Sequence, residues 1–164
     1  MKQFKWGIIG LGNIAHEFAQ NMIQLHPLYA VASRNPETAA DFRAKYDARV
    51  SYGSYEELLD DPAVDIVYIA TVNNQHYQWI LSCLEHGKHV LCEKPMALCS
   101  EELTRMYTAA DENGVVLLEA MRSAHSPATA AVRQALGGLG TLRHADLSYC
   151  QYSSRYPRWQ QGVV

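Results

Sequence analysis

Strand-length apolar runs alternate with helical-period segments from the start of the chain to about residue 120, and no other feature restricts the fold as tightly. "FKWGII" precedes a segment in which Ile14, Phe18 and Met22 recur at helical spacing. "LYAVAS" is followed by "NPETAADFRAKY", where Pro36 suits the first turn of a helix. Ser54 and Glu57 form an S-x-x-E capping pattern ahead of a short helix, and "VDIVYIAT" reads as a strand buried on both faces. Tyr77, Ile80, Leu81 and Leu84 trace a helical stripe that Gly87 closes, and "KHVLCE" is the next strand. Leu103, Met106, Tyr107 and Ala110 repeat the stripe before Gly114, and "VVLLEA" ends the series. Strands separated by helices pair in parallel and are covered on both faces. The pattern therefore specifies an α/β fold, a doubly wound parallel sheet of about six strands, over residues 1–120.

The remainder, residues 121–164, follows a different pattern. Ser126 and Pro127 suit the N-cap and first turn of a helix over "SPATAAVRQALGG". "TLRHADLSYCQYSS" then alternates like a strand with one solvated face. One helix and one strand cannot enclose a core, so this region is expected to be the start of a second, incomplete α/β domain, truncated at "WQQGVV".

Composition limits the partners. With 48% hydrophobic and 19% charged residues and a formal net charge of -3, the chain has no general electrostatic reason to bind nucleic acid or an anionic membrane. No apolar run approaches the roughly 20 residues of a spanning helix, and "MKQFKWGIIG" is too glycine-broken for a signal peptide. A cytoplasmic location is expected. Cys83, Cys92, Cys99 and Cys150 read as reduced, buried or half-buried thiols, and no cysteine or histidine spacing marks a metal site.

The chemistry-bearing residues fall just after the apolar runs. "GLGNIA" sets Gly10, Gly12 and Ala15 in a G-x-G-x-x-A arrangement between a strand and a helix, with Asn13 and Ile14 opening the helix. The first glycine permits a tight turn, the second lets a pyrophosphate approach the backbone, and a small third residue lets helix and strand pack closely. Free N–H groups at the helix start then face the phosphates. About 20 residues on, where a carboxylate would mark an NAD enzyme, stand Ser33 and Arg34. A guanidinium fork suits a 2′-phosphate, which favours NADP over NAD; a solvated loop arginine is the plainer alternative. In "ATVNNQH", Thr71, Asn73 and His76 follow the fourth strand on the edge where such sheets bind ligands. Asn73 and His76 are equally suited to plain helix capping, and His76 is open to two readings, a cofactor or substrate contact and a capping or surface histidine. "CEKP" ends the fifth strand on the same edge. Pro95 fixes that backbone, with the cis form open to it, and would aim the preceding side chains inward. Lys94 in a closing cleft suits proton transfer or carbonyl polarisation, and Glu93 suits ribose hydroxyls. Standing alone, the motif would be a surface ion pair.

Taken together, "GIIGLGNIA", "ATVNNQHYQWILSCLEHGKHVLCEKPMA" and "LLEAMRSAHSP" resemble the Gfo/Idh/MocA oxidoreductases, the family of glucose-fructose oxidoreductase, inositol dehydrogenase and dihydrodiol dehydrogenase. The resemblance implies an N-terminal Rossmann domain followed by an α/β domain that binds substrate and often forms a dimer interface. It also implies Lys94 as the active-site lysine, Glu93 as a nicotinamide-ribose contact, and hydride transfer between nicotinamide and a secondary alcohol or carbonyl of a sugar, polyol or dihydrodiol. Val72 replaces the proline usual in the T-P-N turn. Ala124 stands where many members carry arginine before the proline, so that cofactor or substrate contact is either absent or supplied by Arg122. The family's D-x-G-x-H region does not occur in the sequence. The expectation is thus the NADP- or NAD-binding portion of such an enzyme, by itself inactive and prone to homo-oligomerise. A non-catalytic NADP(H) sensor or an interaction module is the alternative.

Overall fold

Alternate residues of a strand face opposite sides of a sheet, and in this chain both sides are apolar. The computed structural model describes residues 3–150 together with Tyr156 and Gln160. Contacts divide the chain into two units, Met1–Arg122 and Ser123–Val164. The first unit runs β1 (Trp6–Ile9), α1 (Asn13–Met22), β2 (Leu28–Ala32), α2 (Pro36–Tyr46), β3 (Val50–Tyr52) and α3 (Tyr55–Asp60). It continues with β4 (Ile66–Ile69), a 3-10 turn (Asn73–Gln75), α4 (His76–Glu85), β5 (His89–Cys92), α5 (Ser100–Glu112) and β6 (Leu117–Glu119). The six strands lie in the order β3-β2-β1-β4-β5-β6, every neighbouring pair parallel. This is the Rossmann arrangement, with the change of winding direction between β1 and β4.

Successive residues of β1 and β4 illustrate the two layers. Ile8 and Tyr68 pack with Ala15 and Ala19 of α1 and Phe42 of α2. Ile9 and Ile69 pack on the other side with Leu58, Ile80, Leu84 and Met106 of α3, α4 and α5. Each fully buried large apolar side chain contributes about 1.5–3 kcal/mol.

Local signals set the helix ends. Asn35 Oδ1 accepts from Glu37 N–H at 2.9 Å to cap α2, and Pro36 occupies its first turn. Ser54 Oγ accepts from Glu57 N–H at 3.2 Å, while the Glu57 carboxylate reaches back to Gly53 N–H at 3.0 Å, one residue before the usual capping-box partner. Gly87 (φ 68°) and Gly114 (φ 63°) close α4 and α5 in the left-handed region. There Lys88 N–H returns to Cys83 O and Val115 N–H to Ala110 O, the Schellman pattern.

The structure corrects several expectations. The buried face of α1 is Ala15, Ala19 and Met22, with Ile14 and Phe18 only half-buried, because the small side chains are what let the helix close on the sheet. On α5, Met106 and Ala110 are buried but Leu103 and Tyr107 are exposed, since the outer helix meets its neighbours along a narrower stripe than the sequence implies. Ser33 lies just beyond β2. Cys83 and Cys92 are buried thiols, whereas Cys99 and Cys150 are exposed.

In the second unit, α7 (Pro127–Leu136) starts as expected, with Ser126 Oγ accepting from Ala128 N–H at 3.2 Å. A four-residue helix, α6 (Arg122–His125), precedes it. The strand expected over "TLRHADLSYCQYSS" does not form in residues 141–150, and the rest of that stretch lies outside the described residues. Alternation alone gives a strand no partner for its N–H and C=O groups, and Leu142 and Leu147 bury nothing, remaining exposed. No helix among the described residues is long and apolar enough to cross a membrane.

Candidate functional site

The carboxyl ends of β1, β2, β4 and β5 carry the residues singled out above. Gly10 turns the chain off β1 at φ 82°, and a Cβ there would meet Ala70 C and Thr71 N at 2.6 Å. The glycine is therefore imposed by the close approach of the β1 and β4 exits. Gly12 behaves differently. A Cβ on it would find nothing within 4 Å, and its φ of -83° is ordinary, so the protein itself imposes no glycine there. Gly12 is the N-cap of α1, which has no side-chain cap and no acidic residue in its first turn. The N–H groups of Asn13, an exposed residue, and half-buried Ile14 are left without helical acceptors beside an open surface that carries the positive end of the helix dipole.

Beside this turn, Thr71 Oγ1 is shut off from solvent and has no hydrogen-bond partner among the described residues. A buried hydroxyl left so costs about 1–3 kcal/mol. On the β2 side, half-buried Ser33 accepts from Asn35 N–H at 3.1 Å and so shapes the turn that presents exposed Arg34. No group among the described residues pairs with the Arg34 guanidinium. An open glycine at an uncapped helix start, an orphaned hydroxyl and an unpaired arginine fit a phosphate-bearing dinucleotide.

The segment after β5 is fixed from three neighbouring elements. Tyr68 on β4 donates its O–H to Glu93 Oε1 at 2.5 Å. His76, at the start of α4 and only 1% exposed, sets Nδ1 2.8 Å from Pro95 O and Nε2 3.1 Å from Thr71 O, and its neutral ring donates to one of the two carbonyls according to the tautomer. Glu119, at the end of β6, accepts from Met96 N–H at 2.8 Å. The Lys94–Pro95 peptide is cis. Pro95 is exposed, and Lys94 is exposed with no partner among the described residues. The backbone of the loop is thus pinned while the ammonium group is left available.

His76 therefore serves as a bridge between the β4 and β5 exits. Both ring nitrogens face backbone carbonyls and the ring is buried, so it offers no polar atom to a ligand directly. Asn73 is exposed in the 3-10 turn, and Arg122 is exposed at the start of α6, with no hydrogen bond to the cluster among the described residues. A groove of about 280 Å³ between α4 and α5, walled by Tyr77, Leu81, Arg105 and Ala109, contains none of these residues.

Tyr68 and Glu119 are the members that sequence reasoning missed. Both had a signal. Tyr68 is a hydroxyl inside the apolar run "IVYI", which needs a buried partner, and Glu119 closes an apolar strand as Glu93 does, with Cys92 and Glu119 in register.

Comparison with known proteins identifies the family. A family model described as "Oxidoreductase family, NAD-binding Rossmann fold" (GFO_IDH_MocA) matches residues 4–121. The chain belongs to this family of dehydrogenases. It is 39% identical over 162 residues to the scyllo-inositol 2-dehydrogenase (NADP(+)) IolU of Bacillus subtilis (strain 168), covering 98% of this chain and 49% of the relative. It is 41% identical over 167 residues to the trans-1,2-dihydrobenzene-1,2-diol dehydrogenase of Mus musculus, covering 96% and 50%. Among solved structures, the 3-ketoreductase KijD10 of Actinomadura kijaniata, in complex with NADP and TDP-benzene, superposes with a TM-score of 0.78 at 29% identity, covering 84% of this chain and 43% of that one. The chain spans about half the length of the curated relatives it matches.

Proposed function

We propose that the chain binds NADP(H), in preference to NAD(H), across the β1–β4 crevice, and serves an oxidoreductase acting on a secondary alcohol or carbonyl of a sugar, polyol or dihydrodiol. The observation that carries this reading is Gly12: an open glycine at the uncapped start of α1, at the point where the sheet changes winding direction. The N–H groups of Asn13 and Ile14 would hold the pyrophosphate, and Thr71 Oγ1 would gain the partner it lacks. Ser33 and Arg34 would hold the 2′-phosphate. Glu93 would accept from a ribose hydroxyl, and Lys94 would hold or deliver the proton of the substrate oxygen. The bound nicotinamide supplies the hydride chemistry. The names of the inositol, dihydrodiol and keto-sugar relatives support the substrate class.

The test is to incubate the protein with NADP+ and inositols, sugars or dihydrodiols and follow nicotinamide absorbance. Turnover with any of these supports the substrate class; NADPH binding without turnover is the outcome expected of a cofactor-binding portion inactive by itself and supports the cofactor assignment alone, and absence of NADPH binding would overturn the proposal. The same reading includes a homo-oligomer, supported by exposed Leu139, Leu142 and Leu147 in the second unit. A monomer in sedimentation equilibrium would remove that part.

A further inference from the structure

We propose that Tyr68 is a positioning residue: its hydroxyl holds one oxygen of the Glu93 carboxylate so that the other is presented to a ribose hydroxyl on the nicotinamide side of the dinucleotide. This rests on the function proposed above. Tyr68 lies on the central strand β4, is 1% exposed, and stacks on Phe18 of α1 with ring centroids 3.8 Å apart and planes 14° apart. The ring is thus fixed between helix and sheet. A phenol hydroxyl buried this way is costly unless bonded. Its partner is Glu93 Oε1, at 2.5 Å, and this is the only hydrogen bond to that carboxylate among the described residues.

A carboxylate has about four acceptor positions, so Glu93 keeps most of its capacity after Tyr68 has used one. What it loses is freedom to rotate. Burial, and then the Glu93 hydrogen bond and charge, hold the Tyr68 phenol far above its ordinary pKa, so it remains a donor throughout the neutral range. Phenylalanine would fill the same volume and keep the Phe18 stack. The hydroxyl is therefore separable from the packing.

The experiment compares two ligands on the 164-residue chain: NADPH, and an adenosine fragment with 2′- and 5′-phosphates but no nicotinamide ribose. For Tyr68→Phe the expected result is NADPH affinity lowered about tenfold, with the fragment bound as by the wild type. Glu93→Gln should weaken NADPH comparably, and adding Tyr68→Phe to it should cost nothing further. Equal weakening of both ligands would assign Tyr68 to the fold alone and overturn the proposal. Unchanged NADPH affinity in Tyr68→Phe would overturn it as well, while leaving the dinucleotide site intact. If the folded wild-type chain bound neither ligand, the dinucleotide reading itself would fail and the proposal with it. Should Tyr68→Phe not fold, additive losses from Glu93→Gln and Tyr68→Trp would overturn it, and non-additive losses confined to NADPH would support it.

Discussion

A Cβ placed on Gly10 would stand 2.6 Å from the backbone nitrogen of Thr71, so the turn after β1 and the exit of β4 can meet only because that residue has no side chain. Gly12, two residues on, has open space where its Cβ would be. The two glycines of one motif therefore answer to different constraints, the first to the fold and the second, in the function proposed here, to the dinucleotide. Gly10→Ala should lower stability by several kcal/mol, combining a positive φ with a backbone clash. Gly12→Ala should leave the melting temperature nearly unchanged and still weaken NADPH binding at least tenfold. Thermal melts and calorimetry on the two variants check this, and equal destabilisation by both would contradict it.

Arg34 is exposed and pairs with nothing among the described residues, so its charge is free for a 2′-phosphate. Replacing it by Asp removes the fork and supplies the carboxylate that suits a free 2′-hydroxyl. The ratio of NADPH to NADH dissociation constants should move at least tenfold toward NADH. An unchanged ratio would take Arg34 out of cofactor selection.

The loop around Lys94 is held by His76 and Glu119 through the Pro95 carbonyl and the Met96 N–H, backbone groups and not the Lys94 side chain. Lys94→Ala should accordingly leave that loop and most of the NADPH affinity in place. Turnover, measured with whatever substrate the panel identifies, should fall by about two to four orders of magnitude, the usual range for losing a positioned proton donor. Wild-type rates in the variant would exclude Lys94 from proton transfer.

Elsewhere in the first unit, Tyr52, the last residue of β3, donates to Asp61 at 2.8 Å, and Lys88, 6% exposed, donates to Asp61 O and Val64 O at 2.7 and 2.9 Å. Burial first, then the hydrogen bond and charge of Asp61, push the Tyr52 phenol up to about 12 from 10.0. A raised pKa means that the folded state holds this proton more tightly. The stability so gained is complete below pH 10 and is lost as pH rises from there through about 12. The Asp61 carboxyl is pushed up by burial but held lower overall by Ala63 N–H, Tyr52, Tyr29 and the Lys88 charge. Its contribution is present above its ordinary pKa of 3.8 and lost as pH falls through the lower folded value. Melting temperatures followed across pH should fall on both limbs, and Tyr52→Phe should flatten the alkaline one. A variant whose alkaline limb matches the wild type would contradict this assignment.

Much of the fold was legible because a parallel sheet buried on both faces writes itself as continuous apolar runs. β3 is the exception: Val50–Tyr52 is a short edge strand, half-buried throughout, with no run to mark it. Gly10, Gly12, Glu93 and Lys94 stood out as candidates because each lies within three residues of the carboxyl end of a strand. The roles of Tyr68, His76 and Glu119 could not be read in the same way. Their partners are Glu93, Pro95 and Met96, between 19 and 25 residues away along the chain and adjacent only once β4, β5 and β6 pair. The alternation in residues 141–150 misled because it specifies a face and not a partner.

The most direct test of the account is a calorimetric titration of the folded 164-residue chain with NADPH and with NADH. Saturable binding of one dinucleotide per chain, tighter for NADPH, is the predicted result. Absence of saturable binding for both, in protein with an intact thermal unfolding transition, would contradict the claim that the open start of α1 and the β1–β4 crevice form a dinucleotide site.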